Sequence, residues 1–287
     1  MAKADGMDNH KRVVASTFSG SKEFWTNIYD TNTKAISKCY SIDMIRRKDA
    51  VFHLLSKYTS HPALRILDVG CGPGIFVGEA ASRGYNIVGV DITEPMVSGA
   101  RDATNKFGSQ IIGYAQGDIE NLPFRNNSFD VIFCIGVLSY LAEDAKSINE
   151  LKRVVKIEGF VIVGLPNWLR LPILFDPYYY LHRVFTYVWK KKLFHDRNQE
   201  SELIGLKEYR RYFAWKLNNL FKNFNLNILE IKTIGFGPMT FWRKEFIPYK
   251  QSLKFSQLLE KLSSKPLLYF LKIFANHWVI CLQKIQN

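Results

Sequence analysis

The sequence predicts an α/β fold in which a Rossmann-like, seven-stranded, doubly wound sheet carries helices on both faces. Three observations lead there. A strand-like run at 64–69 passes through a glycine-rich turn into a helical pattern. Short apolar runs then alternate with helical patterns as far as residue 166, as in the βα units of a parallel sheet. Two more strand-like runs, 226–231 and 278–282, complete seven. Residues 1–60 read as a helical cap ahead of a domain over 61–287. Stretches 167–209 and 235–276, rich in aromatics and lysines, are too long to be simple connections and read as helical insertions.

Each element has its own signal. After the strand at 64–69, a helix over 75–83 presents Phe76, Val77 and Ala80 to a core, and Gly84 suits its C-terminal cap. A second strand, 86–90, ends at Asp91. Thr93 then suits an N-cap and Pro95 a first helical turn. Strands follow at 111–116 and 129–134. A helix over 144–155 places Ile148, Leu151 and Val155 on one face, and a fifth strand covers 160–165.

Composition excludes several classes. The chain of 287 residues is 47% hydrophobic and 23% charged, ordinary for a globular protein. Its four cysteines (Cys39, Cys71, Cys134, Cys281) lack metal-ligand spacing, so no metal site is expected, and reduced thiols suit a cytoplasm-like compartment. Neither a signal peptide nor an apolar run long enough to cross a bilayer is expected. The net charge of +13 is uneven: residues 1–167 carry +1 and residues 168–287 carry +12. Such asymmetry points to an anionic partner, with a membrane surface, a phosphorylated substrate and nucleic acid all open.

The strongest motif is Ile66-Leu67-Asp68-Val69-Gly70-Cys71-Gly72-Pro73-Gly74. A strand delivers an acidic residue, and alternating glycines let the backbone turn tightly and approach a ligand closely. Asp91 lies 21 residues beyond Gly70, close to the roughly 20 at which a carboxylate grips ribose hydroxyls. A dinucleotide site favours GxGxxG, which sets a helix N-terminus against pyrophosphate. Here GxGxG follows Asp68, which suits a cationic methionine amino group and so S-adenosyl-L-methionine (SAM).

Residues 64–166 resemble class I SAM-dependent methyltransferases, particularly the group that includes ubiquinone and menaquinone methyltransferases. Besides the glycine loop, the resemblance rests on Gly117-Asp118-Ile119-Glu120-Asn121-Leu122-Pro123-Phe124, on Asn127-Ser128-Phe129-Asp130-Val131-Ile132, and on Glu150-Leu151-Lys152-Arg153-Val154-Val155 before the Gly159 turn. It implies that Asp68, Gly70, Cys71, Gly72 and Gly74 hold the methionine and ribose part of SAM. It implies that Asp91 takes the ribose hydroxyls, with Ile92 and Met96 among the cofactor contacts. Asp118 and Ile119 would meet the adenine, and Cys134 to Gly136 would line the sulfonium.

The segment Phe24-Trp25-Thr26-Asn27-Ile28-Tyr29, followed by Ile45-Arg46-Arg47, is similar to the entry of magnesium-protoporphyrin methyltransferases. That likeness makes Tyr29 a catalytic candidate and Trp25 and Arg46 substrate contacts. The family places a histidine shortly after the fourth strand, where this chain has Tyr140. Tyr140 and His182 are further candidates for a general base. Tyr178 belongs to an amphipathic stretch, 177–192, that ends in three lysines and suits either a membrane interface or a lid over a greasy substrate.

No Asn/Asp-Pro-Pro-aromatic loop for base-amine methylation and no Pro-Cys nucleophile is present. The expectation is therefore methylation, on oxygen, of a small-molecule or lipid-like acceptor. RNA methylation and a non-catalytic SAM-binding regulator are the alternatives.

Overall fold

Strands buried on both faces need apolar residues at nearly every position, and the central runs of this chain supply them. The computed structural model describes residues 2–29, 38–59, 63–178, 180–181, 210–242 and 244–286. Three helices come first: α1 (Ala2–Gly20), α2 (Lys22–Asn27) and α3 (Lys38–Tyr58). The alternating region follows as β1 (Arg65–Val69), α4 (Ile75–Ser82), β2 (Asn86–Asp91), α5 (Glu94–Thr104), β3 (Ile111–Gln116), β4 (Phe129–Ile135), α6 (Ala145–Val154) and β5 (Val155–Pro166). After the short α7 (Leu171–Phe175) and a helix at Ala214–Lys222 come β6 (Leu226–Ile234), a hairpin of β7 (Thr240–Phe241) and β8 (Lys244–Glu245), and a helix at Tyr249–Ser263. A 3-10 helix (Pro266–Phe274) and β9 (His277–Lys284) end the chain.

The main sheet has the order β3-β2-β1-β4-β5-β9-β6. β9 runs antiparallel to both its neighbours, while the pairs from β3 to β5 are parallel. The doubly wound sheet thus carries one reversed strand. Ile234 and His277 are cross-strand partners, so residues 235–276 leave and return at the same end of the sheet. That geometry forces the reversal.

Alternation along each strand divides the core. Leu67, Ile132 and Cys134 face one side, with Leu151 of α6 and with Leu217 and Phe221. Ile66, Val131 and Phe133 face the other, against Phe52 of α3 and Phe76 and Val77 of α4. Each such buried side chain contributes about 1.5–3 kcal/mol of transfer free energy. α3 is therefore part of the sheet's own packing.

Boundaries differ from the sequence expectation where backbone geometry intervenes. β5 begins at Val155 because Phe129 pairs with Val155 before the register shifts to Val131 and Phe160. Glu158 adopts φ +62° in that bulge. A Cβ on Gly159 would sit 2.9 Å from two carbonyl oxygens, so the turn requires glycine. Thr93 is at the N-cap of α5 without capping it; its hydroxyl donates to Asp91 Oδ1 instead. Stretch 235–276 contains a hairpin as well as helices. Of 167–209, residue 179 and residues 182–209, including Lys190–Lys192, lie outside the described residues.

Candidate functional site

A cavity opens beyond the carboxyl ends of β1, β2 and β4, where open α/β sheets bind ligands. One side is the glycine turn. Gly70, Gly72 and Gly74 all have positive φ, but only one leaves room for a ligand. A Cβ on Gly72 would meet nothing within 4 Å and would project into open space. On Gly70 it would strike Val137, and on Gly74 it would come within 3.0 Å of Ala100 on α5. Gly74 thus serves helix packing and does not line the cavity.

Asp91 is fixed from two directions. Gly72 N donates to its Oδ2 at 3.0 Å, while Thr93 N and Oγ1 donate to its Oδ1 at 3.0 and 3.1 Å. Burial pushes the carboxyl pKa up, against these bonds, which pull it down. Asp68 lies behind the turn, 1% exposed, while its neighbours Val69 and Gly70 form the wall. Its Oδ2 accepts no hydrogen bond from the described residues. Burial, and then the charge of Asp91, raise its pKa to about 8. Burial likewise keeps the Cys71 thiol neutral, well above its ordinary pKa.

At the far end, Asp118 accepts from Lys11 Nζ at 2.5 Å, and Glu120 lies 2.7 Å from the same nitrogen. Burial lowers the Lys11 pKa, but the two carboxylates outweigh it and the net direction is up. The Asp118 loop is held from beneath by Arg153, which donates to the carbonyls of Leu122 and Phe124, and by Glu150, which accepts from Leu122 N. Ile92, Met96 and Ile119 complete this end.

At the opposite end, Tyr29 packs edge-on against Phe76 and accepts a hydrogen bond from Arg47 Nη2 at 3.1 Å. Tyr140 stands edge-on to Phe18 of α1, and its carbonyl accepts from His10 Nε2 at 2.8 Å. Trp25, Val14 and Leu141 add apolar wall. His277, buried at the start of β9, has its pKa driven well down by burial and then by Arg47, Arg170 and Arg211. Apolar side chains thus dominate this end, with the Arg47 guanidinium beside the Tyr29 phenol.

The structure brings together Trp25, Tyr29, Gly70, Cys71, Gly72 and Asp91 around the same cavity as Ile92, Met96, Asp118, Ile119, Gly136 and Tyr140. It moves five others away, Gly74 among them. The Cys134 side chain points into the core, because side chains alternate along β4 and Ile135 takes the cavity side. Arg46 pairs with Glu260. Tyr178 lies against Trp242 and is not a cavity residue. Asp68 is one layer back. His182 lies outside the described residues.

Sequence reasoning missed Lys11, Phe76, Val137 and Arg47 as cavity residues. For Arg47 a signal existed: it shares the inward stripe of α3 with Val51, Leu54 and Leu55, and Arg46 does not. For Lys11, 107 residues from its partner, none did.

Residues 67–163 match the methyltransferase domain family. The ubiquinone biosynthesis O-methyltransferase of Rickettsia prowazekii (strain Madrid E) is 30% identical over 136 residues, which is 47% of this chain and 53% of that protein. An uncharacterized 37.1 kDa protein in transposon TN4556 of Streptomyces fradiae is 32% identical over 42% of this chain and 35% of that one. The chain thus spans about a third to about half of these relatives' lengths. Among solved structures, magnesium protoporphyrin IX methyltransferase from Synechocystis PCC 6803 with bound SAH superposes with TM-score 0.64 and 15% identity, over 96% of this chain and 99% of that one. The [4+2]-cyclase SpnF has TM-score 0.59 and 16% identity, over 96% of each chain.

Proposed function

Since residues 67–163 form a class I SAM-dependent methyltransferase domain, we propose that the protein is an enzyme that methylates an oxygen of a small, lipid-like acceptor. The observation that carries this reading is Asp91, held by three donors beside the open cradle at Gly72. A carboxylate oriented in this way is suited to grip vicinal hydroxyls, and the cradle admits a ligand backbone.

The other residues fit the same donor. Asp68 has an unanswered buried oxygen beside the wall that a cationic amino group would approach. Asp118 and Ile119 would meet the adenine, with Ile92 and Met96 as apolar walls. When bound, SAM supplies a methyl group already activated on sulfonium, so the protein's task is mainly in-line placement of the acceptor. Arg47 fixes the Tyr29 phenol oxygen as an acceptor of its hydrogen bond, which directs the phenol proton elsewhere, toward the bound acceptor.

An oxygen acceptor is supported by one similar protein, the O-methyltransferase of ubiquinone biosynthesis. Greasiness is supported by Trp25, Phe18, Phe76 and Leu141 around the Tyr29 end. The reading extends to an acceptor resident in a bilayer, with the enzyme peripheral to it. The test is S-adenosylhomocysteine release over quinone-like phenols, fatty and polyketide hydroxyls, porphyrin carboxylates and RNA. Turnover on an apolar oxygen acceptor supports the reading. Turnover on RNA alone, or SAM binding with no turnover on any acceptor, overturns it.

A further inference from the structure

The helix Tyr249–Ser263 buries serines while large apolar side chains stand exposed. A helix on a globular protein buries its apolar stripe and exposes its polar one. This one buries Ser252, Ser256 and Ser263. Their hydroxyls face protein: Phe236 N donates to Ser256 Oγ at 2.9 Å, and Ser263 Oγ lies 3.0 Å from Thr233 Oγ1. Phe255 and Leu258 stand exposed instead, at 39% and 53%.

The 3-10 helix that follows continues the pattern. Leu267 is 90% exposed and Phe270 57%. The two flank a kink at Leu268, where the backbone leaves helical geometry. Tyr269 is 52% exposed and sits 3.7 Å beneath the Lys272 ammonium. Helix and 3-10 helix pack on each other, so these residues belong to one unit.

The charge of that unit is one-sided. Residues 249–276 contain Lys250, Lys254, Lys261, Lys265 and Lys272, and Glu260 is their one acidic residue. Glu260 is already engaged by Arg46 of α3 and accepts from Gly235 N. Lys250, Lys254 and Lys261 recur at intervals of four and seven within the helix, which puts them on one exposed stripe, and exposed Lys265 follows just past the helix end. That stripe lies beside Leu258 and away from the buried serines.

We infer that this unit is a docking surface for an anionic lipid bilayer, with Leu267 and Phe270 inserted among the acyl chains and the lysine stripe over the headgroups. Charge complementarity selects this occupant: an exposed apolar wedge flanked by cations only is the composition of a helix that lies in a membrane interface. No helix among the described residues is long and apolar enough to cross a membrane, so the contact is peripheral. The inference stands on these residues alone and does not depend on methyl transfer.

The test is co-sedimentation of the full chain with vesicles of phosphatidylcholine alone and of phosphatidylcholine mixed equally with phosphatidylglycerol. Each lysine beside an anionic surface strengthens binding about fivefold, and that attraction is screened beyond roughly 8 Å at physiological salt. Wild type should pellet with the mixed vesicles at low salt and leave them at high salt. The variant Lys250→Gln/Lys254→Gln/Lys261→Gln should bind the mixed vesicles at least tenfold more weakly. Leu267→Asn/Phe270→Asn should weaken binding comparably, and both variants should keep wild-type melting temperature and SAM affinity. Wild type remaining in the supernatant overturns the inference, as does equal pelleting of both variants, which would place docking elsewhere. A dimer in solution that Leu267→Asn/Phe270→Asn dissolves would assign the surface to a second copy and also overturn it.

Discussion

Lys11 of α1 lies 2.5 Å from Asp118, the carboxylate at the far end of the cavity, and 2.7 Å from Glu120. A helix from the chain's first residues is thereby latched onto the rim of a site built by the sheet. His10 and Phe18 reinforce the latch through Tyr140, on the opposite side of the opening.

A latch of this kind governs exchange more than affinity. The pair is partly exposed, and such pairs contribute about 0–1 kcal/mol. Lys11→Met should therefore speed SAM dissociation several-fold while changing the equilibrium affinity by less than about 1 kcal/mol. Stopped-flow displacement measures both, and an unchanged dissociation rate would show that α1 does not close the site.

Asp91→Asn keeps the shape of the side chain but halves its acceptor capacity and removes its charge. SAM affinity should fall by about 1–3 kcal/mol through loss of charge-assisted hydrogen bonds. Calorimetric affinity equal to wild type would remove Asp91 from the ribose end.

Tyr29→Phe removes the hydroxyl held by Arg47 and leaves the ring against Phe76. Turnover should fall at least tenfold, with SAM affinity changed less than twofold, because the lost group acts on acceptor and transition state. Matching kcat values for variant and wild type would leave Tyr29 a packing residue.

Asp68 gives the pH behaviour. Its pKa rises from 3.8 to about 8 on folding, so the folded chain holds this proton more tightly than the unfolded chain. Its contribution to stability is complete below pH 3.8 and is lost as pH rises to about 8. A cation placed at the Val69–Gly70 wall favours the ionised form, so SAM binding at pH 7 should release a fraction of a proton. Calorimetry in buffers of different ionisation enthalpy detects this; Asp68→Asn should abolish it. Absence of proton release in the wild type would contradict the coupling.

How much was legible depended on whether a feature was local. The strand–turn–helix at 64–84 could be read because glycine turns, caps and alternation are encoded within a few residues. Side chains one position off were harder. Including Cys134 with its neighbours Ile135 and Gly136, or taking Arg46 in place of Arg47, is a one-residue error, because successive residues face different sides of a strand or helix. The Lys11 latch was illegible because its partner is remote in sequence. The helix at Tyr249–Ser263 is hard to read for another reason: it buries Ser252, Ser256 and Ser263 while Phe255 and Leu258 stand exposed, against the usual amphipathic rule.

The central claim, that the donor occupies the cradle at the glycine turn, is tested most directly by titrating SAM calorimetrically into wild type and Gly72→Val. Gly72 has φ +51° and open space beyond its absent Cβ. Valine there costs about 1–2 kcal/mol of backbone strain, so the variant should still melt cooperatively a few degrees lower. Its branched side chain would fill the ligand's space. Wild type should bind one SAM per chain, and a folded Gly72→Val should show no measurable binding. Wild-type affinity in that variant would place the donor elsewhere.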